Sequence, residues 1–363
     1  MQNKIKPIIF GLASTSLSEE EIQLFKENEA VGFILFSRNI ESRPQLIELT
    51  KSLKNLYPDR KVLILVDQEG GRVARIKPPI TKNIYPCAEH FAAIYDDNRL
   101  QAKHELKANY IDLMADLKSL GIDSPCAPVC DILYPKASDV IGDRSFGDNA
   151  DKVIDLCRSA ISGIHHSGGL PFIKHIPGHG RAIVDSHFEL PTIETKLETL
   201  VETDFKVFRE LAQEKVWGMT AHIIYTALDP KNTATTSSIV IQYIREKIGF
   251  KGKLVSDDIC MYALHGTIGK KNAILKKVIN IAEKEGQWKE LYAEDLNKLL
   301  GINTVQVGNA LIIEICQKKL TELKPEFLES LAKTTKLSLV AGCNIILHCS
   351  GDLEEMRTVC SAL

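Results

Sequence analysis

Eight short, continuous apolar runs punctuate the chain, and they constrain the fold more than any other feature. They are "IIFGL" (8–12), "VGFILF" (31–36), "VLILV" (62–66), "IDSPCAPV" (122–129), "LPFI" (170–173), "VWGMTA" (216–221), "GKLVS" (252–256) and "CNIILH" (343–348). Runs of this length without polar alternation suit strands of a parallel sheet buried on both faces. Amphipathic patterns lie between them, among them "RPQLIELTKSLKNLY", "ADKVIDLCRSAISGIHHSGG" and "SSIVIQYIREKIGF", with apolar residues three and four apart. Gly121, Gly168 and Gly249 punctuate their ends. Strand and helix in eightfold alternation predict an α/β chain folded as a single-domain (β/α)8 TIM barrel over 1–363. The alternative, a doubly wound open sheet, lacks its glycine fingerprint after the first strand.

Polar residues close nearly every run: Arg38, Asp67, Asp131, Lys174, His222, Asp257 and His348. Barrel active sites form at the carboxyl ends of the strands, so these side chains are expected around one mouth. A segment over 267–336 breaks the alternation between strands 7 and 8. Its apolar spacing is helical, and it is expected as a helical insertion within the domain, a neutral surface feature of small loop-closure cost.

The formal net charge of −2 gives no basic field for nucleic acid. Nine cysteines, none in a C-x-x-C pair, argue against a disulfide framework or zinc finger. The first segment, "MQNKIKPIIFGLAST", reads as a strand and not a signal peptide, and no apolar stretch is long enough to span a membrane. A soluble cytoplasmic protein without membrane or nucleic-acid partners is expected. Phosphate loops and a G-x-S-x-G elbow are lacking, which removes kinase, dehydrogenase and serine-hydrolase readings.

The stretch "KHIPGHGRAIVDSHFELP" (174–191) crowds basic, imidazole and carboxylate groups among Pro and Gly. In an extended loop Asp185 and His187 point the same way, so the carboxylate can orient the imidazole as an acid/base near neutral pH. Pro177, Gly178 and Gly180 forbid a helix, so His175 and His179 are not an i,i+4 metal pair. In "VSDDICM", Asp257 is nearer the strand than Asp258 and is the candidate reactive carboxylate. "VDQEGGRVARI" pairs Asp67 with Arg72 and Arg75, and "GDRSFGDN" adds Arg144, groups suited to sugar hydroxyls through charge-assisted bonds.

Together "ILFSRN", "VDQEGGRV", "APVCDI", "VIGDRSFG", "KHIPGHG", "DSH", "AHIIYTALDP" and "SDDICM" resemble the family 3 glycoside hydrolases, in particular their single-domain bacterial β-N-acetylglucosaminidases. The resemblance covers about 7–265 and 340–360. It implies Asp257 as nucleophile, His187 as acid/base and Asp185 as its orienting partner. Asp67, Arg75, Arg144, Lys174 and His175 would bind the sugar. The implied reaction is retaining removal of terminal β-linked N-acetylglucosamine from peptidoglycan fragments, N-acetylglucosamine joined to anhydro-N-acetylmuramic acid with or without peptide, in cell-wall recycling. It implies no cofactor and no metal, a small sugar as the partner, and a monomer. Two alternatives are a glycan-binding or regulatory protein with impaired turnover and a metal-dependent hydrolase using His175, His179 and His187.

Overall fold

The computed structural model describes residues 5–184, 190–284, 286–304 and 306–363. From the amino end run β1 (Lys6–Gly11), α1 (Glu19–Glu27), β2 (Ala30–Leu35), α2 (Arg43–Asn55) and β3 (Leu63–Val66). A small hairpin, β4 (Gln68–Gly70) and β5 (Val73–Ala74), precedes α3 (Ala88–Asp97), α4 (Arg99–Ser119) and α5 (Ala150–His166). Then come β6 (Phe172–Ile176), β7 (Thr192–Ile193), α6 (Leu197–Glu202), α7 (Asp204–Leu211), β8 (Trp217–Thr220), β9 (Ile224–Tyr225) and α8 (Ser238–Glu246). The carboxyl-terminal part holds β10 (Leu254–Asp258), α9 (Gly266–Glu283), α10 (Trp288–Leu300), α11 (Asn309–Ala341), β11 (Ile345–His348) and α12 (Leu353–Ala362).

Seven strands form one parallel sheet in the order β3-β2-β1-β11-β10-β8-β6, curled as a half-barrel. The eighth expected strand, 122–129, is not a regular strand. Pro125 and Pro128 deprive it of two N–H donors, and a ladder cannot run through them. It makes isolated parallel bridges instead, Leu65 with Ser124 and Val129 with Lys174. Its backbone bonds reach both sheet edges: Val66 N–H donates to Ser124 O at 3.1 Å and Phe172 N–H to Ala127 O at 2.8 Å.

The period of two along each strand sorts the apolar residues. On β1, Ile8 and Phe10 join the layer packed under the helices, whereas Ile9 points into the curl of the sheet. That inner cluster takes at least one residue from every strand of the sheet, Ile9, Ile34, Leu65, Phe172, Met219, Val255 and Ile345, together with Cys126 from the irregular segment. All are buried, so the polar strand ends sit on an apolar floor.

Helix starts carry their own caps. Ser18 accepts from Glu21 N–H while Glu21 reaches back to Ser18 N–H, a reciprocal capping box. Asn98, Asn149, Ser237 and Asp352 cap α4, α5, α8 and α12 through their side chains. The single helical pattern expected over "LETLVETDFKVFRELAQEKV" is broken at Thr203, which separates α6 from α7 and turns its hydroxyl toward Asp204. The segment after β10 is helical as expected. α9, α10 and α11 share an apolar cluster of their own that includes Leu275, Val278, Trp288, Leu296, Ile312 and Phe327. The last of these helices runs past Lys336 to Ala341, and its Leu331 and Ala341 lie in the main core.

Candidate active site

A cavity of about 650 Å³ opens where the strands end. Its walls include Arg38, Asp67, Arg75, Arg144, Lys174, His175 and Asp257. Lys174 and His175 belong to β6 and Asp257 to β10, while Asp67 directly follows β3. Arg75 follows the β4–β5 hairpin and Arg144 ends a short turn of 3-10 helix, Gly142–Arg144. Every expected sugar-binding residue and the expected nucleophile therefore face one space. Asp185 and His187 lie outside the described residues.

Glycines allow the backbone to come this close. A Cβ on Gly180 would sit 1.8 Å from the Ile132 carbonyl oxygen. Gly70 has a φ of +106°, and a Cβ there would meet the Pro86 carbonyl at 2.0 Å.

The charged groups form a chain. Lys174 Nζ lies 3.1 Å from Asp67 Oδ1 and 2.7 Å from Glu69 Oε1. Arg144 grips Glu69 with two parallel bonds, Nε to Oε2 at 2.7 Å and Nη2 to Oε1 at 2.8 Å. Arg75 Nη2 reaches Asp67 Oδ2 at 3.4 Å. Burial works against the Asp67 carboxylate, but Lys174 and Arg75 outweigh it and hold its pKa below the usual range. Burial likewise opposes ionisation of Glu69, and the Arg144 and Lys174 charges hold it far lower still. Lys174 is desolvated too, yet the two carboxylates raise its pKa. Cations and anions are thus locked in their charged forms and presented in fixed positions.

Asp131, closing the irregular segment, is 1% exposed and turned under the floor. Its Oδ2 lies 2.8 Å from His175 Nδ1, and its Oδ1 accepts the His179 backbone N–H at 2.6 Å. The carboxylate beside Nδ1 holds the imidazole ring in one orientation. His179 also lines the cavity; burial, with His175 beside it, pushes its pKa down to about 4, so it is neutral near pH 7.

The two adjacent aspartates divide the work. Asp258 Oδ1 accepts backbone N–H bonds from Cys260 and Cys349, each at 3.0 Å, which ties the strand end to β11. Asp257 Oδ1 accepts the Asp258 N–H at 2.8 Å, and the residue is half-buried on the cavity wall. Burial raises the Asp258 pKa.

Three strand-end residues expected at the mouth are not among its lining. Asp131 supports His175 from below. His222 is fully buried, bonded through Nδ1 to Thr235 Oγ1 at 2.7 Å and through Nε2 to the Asp258 carbonyl at 3.0 Å. His348 is fully buried and turns its Nε2 toward Glu355. Glu69 was not anticipated from sequence, although a signal existed. It stands two residues after Asp67, the spacing that puts two side chains on one side of an extended segment.

The described part of the loop after β6 is well anchored. Ser138 N–H donates to Ala182 O at 2.8 Å, and Arg181 binds Asp204 Oδ2 at 2.7 Å and the Tyr134 hydroxyl at 2.8 Å. Ser138 itself lines the cavity, so the loop leaves its anchor beside the mouth. Among the described residues His175 and His179 belong to no group of three converging metal donors.

A curled parallel sheet with cations, carboxylates and imidazoles fixed at its strand ends is an arrangement that enzymes of the α/β class use for catalysis. Residues 3–279 match the Glycosyl hydrolase family 3 N terminal domain, and the chain belongs to that family as a glycoside hydrolase. It is similar to the "Beta-hexosaminidase" of Alkalilimnicola ehrlichii, 39% identical over 259 residues, or 71% of this chain and 73% of that protein. The "Beta-hexosaminidase" of Pasteurella multocida is 35% identical over 256 residues, covering 70% and 71%. Among solved structures, NagZ from Neisseria gonorrhoeae in complex with N-trifluoroacetyl-D-glucosamine superposes with a TM-score of 0.74 at 28% identity, covering 98% of this chain and 84% of that one.

Proposed function

We propose that the chain is a retaining exo-β-N-acetylglucosaminidase acting on peptidoglycan fragments, N-acetylglucosamine joined to anhydro-N-acetylmuramic acid with or without peptide, as a cytoplasmic monomer in cell-wall recycling. The observation that carries it is the convergence of Asp67, Arg75, Arg144, Lys174, His175 and Asp257 on one cavity at the strand ends. The β-hexosaminidase relatives and the sugar-bound NagZ structure support the same reading. The bridges of 122–129 to both sheet edges support a closed eight-membered barrel, with α9, α10 and part of α11 as an inserted helical segment of a single domain.

In this mechanism Asp67, Arg75, Arg144, Lys174 and His175 hold the sugar hydroxyls. The Asp257 carboxylate attacks the anomeric carbon while His187, oriented by Asp185, protonates the departing oxygen. The bond to the leaving group breaks as the ester to Asp257 forms. Water then opens that ester, His187 taking its proton, and the β configuration is restored. One imidazole thus serves as acid and then base at a pH near its ordinary pKa.

The test is release of N-acetylglucosamine from an aryl N-acetyl-β-glucosaminide, followed by NMR to read the first-formed anomer. Wild type is expected to turn over with or without EDTA and to give the β anomer. Asp257→Ala is expected to lose at least about a thousandfold in kcat. An α first product, or an Asp257→Ala variant as fast as wild type, refutes the assignment.

A further inference from the structure

Outside the mouth, a sulfur, an imidazole nitrogen and a carboxylate oxygen from three different elements meet. Cys260 follows β10, His348 ends β11 and Glu355 lies in the first turn of α12. Cys260 Sγ is 3.6 Å and His348 Nε2 3.4 Å from Glu355 Oε2, and all three donor atoms lie within 4.8 Å of one another. We propose that Cys260, His348 and Glu355 form a binding site for a zinc-class divalent cation.

Two of the three spacings are close to those of a tetrahedral shell. Bonds of about 2.3 Å to sulfur and about 2.0–2.1 Å to nitrogen and oxygen give donor-to-donor edges of roughly 3.3–3.5 Å. The two edges at Glu355 already have nearly that length. A thiolate, an imidazole and one carboxylate favour zinc or cobalt over magnesium or calcium, which want oxygen alone. The Ser350 hydroxyl, 2.5 Å from Glu355 Oε2, holds the carboxylate on the same side as the other two donors. Water is the natural fourth ligand.

None of the three residues lines the sugar cavity, although Ser350, Cys349 and Asp258 beside them do, so the site adjoins it from behind the wall. It has its own entrance. Glu355 and Ser350 line a second cavity of about 580 Å³ beneath α9 and α11, with Tyr262, Lys276, Lys324 and Phe327 on its walls. An ion bound there would pin α12 and β11 to the loop that follows Asp257 and Asp258.

The full chain, stripped of metal by a chelator, is titrated with Co²⁺. One equivalent is expected to produce a thiolate-to-cobalt charge-transfer band in the near ultraviolet; because Cys349 lines the sugar cavity, the Cys260→Ser variant decides which thiolate gives it. Cys260→Ser is expected to lose the band with an unchanged circular dichroism spectrum. Should that variant misfold, Glu355→Gln judges the proposal, with an expected affinity loss of about ten- to a hundredfold. Wild type without the band, a band that persists in folded Cys260→Ser, or unchanged cobalt affinity in Glu355→Gln overturns it.

Discussion

Replacing Glu69 by Gln removes one negative charge from the chain of five charged groups while keeping the side chain's shape. The Glu69 side chain is 6% exposed, between Arg144 at 12% and Lys174 at 3%. After the substitution Lys174 keeps Asp67 at 3.1 Å, and Arg144 keeps the Val140 carbonyl at 2.8 Å. Taking one partner from a buried ion pair costs about 3–5 kcal/mol. The Gln oxygen still accepts one bond, so the lower figure applies, about 3 kcal/mol or roughly two powers of ten in the folding equilibrium. Urea unfolding followed by circular dichroism should show a lower midpoint with unchanged slope. The pH profile supplies a second reading. Glu69 has its pKa lowered from 4.5 by folding, so its contribution is complete above that pH and is lost as the pH falls below it. The variant should accordingly show a flatter acid limb. KM for the aryl glycoside should rise, because Arg144 and Lys174 lose their common anchor. A change under about 1 kcal/mol, with an acid limb like that of wild type, would mean that water screens these charges, and the argument for a locked ion chain fails.

His187→Ala should slow a natural disaccharide far more than an aryl glycoside, because a good leaving group hardly needs a proton; equal losses on both in steady-state assays would remove His187 as the acid. His265 donates from Nε2 to the Ile259 carbonyl at 2.8 Å and has Nδ1 3.0 Å from Ser330 Oγ on α11, and burial pushes its pKa down to about 4. The folded state takes up that proton less readily than the unfolded chain, so stability is full above about pH 6.5 and falls toward pH 4; His265→Gln should reduce this slope in urea titrations at stepped pH.

Much of this architecture was legible in the sequence because burial on both faces leaves a strong apolar signature. "VGFILF" and "CNIILH" became β2 and β11 within a residue or two of their expected limits. "IDSPCAPV" has the same apolar character, yet its two prolines prevent a ladder, and apolarity alone does not register missing N–H groups. Strand-end position pointed to Asp67, Lys174 and Asp257, and the structure places all three on one cavity wall. Position did not reveal direction, however: His222 and His348 also end strands, and each turns toward a partner inside the protein, Thr235 in one case and Glu355 in the other. Glu69 escaped notice because its two cations come from residues 75 and 105 positions away in the chain.

α11, at 33 residues, is about 50 Å long with Pro325 inside it, one end among Ile312 and Cys316 of the outer cluster and the other, at Leu331 and Ala341, wedged into the main core. Excising 267–336, the limits suggested by the sequence, would cut that helix inside its buried half and take Leu331 out of the main core. A minimal version of the protein would therefore have to keep the helix from before Phe327 onward and graft a new start onto it.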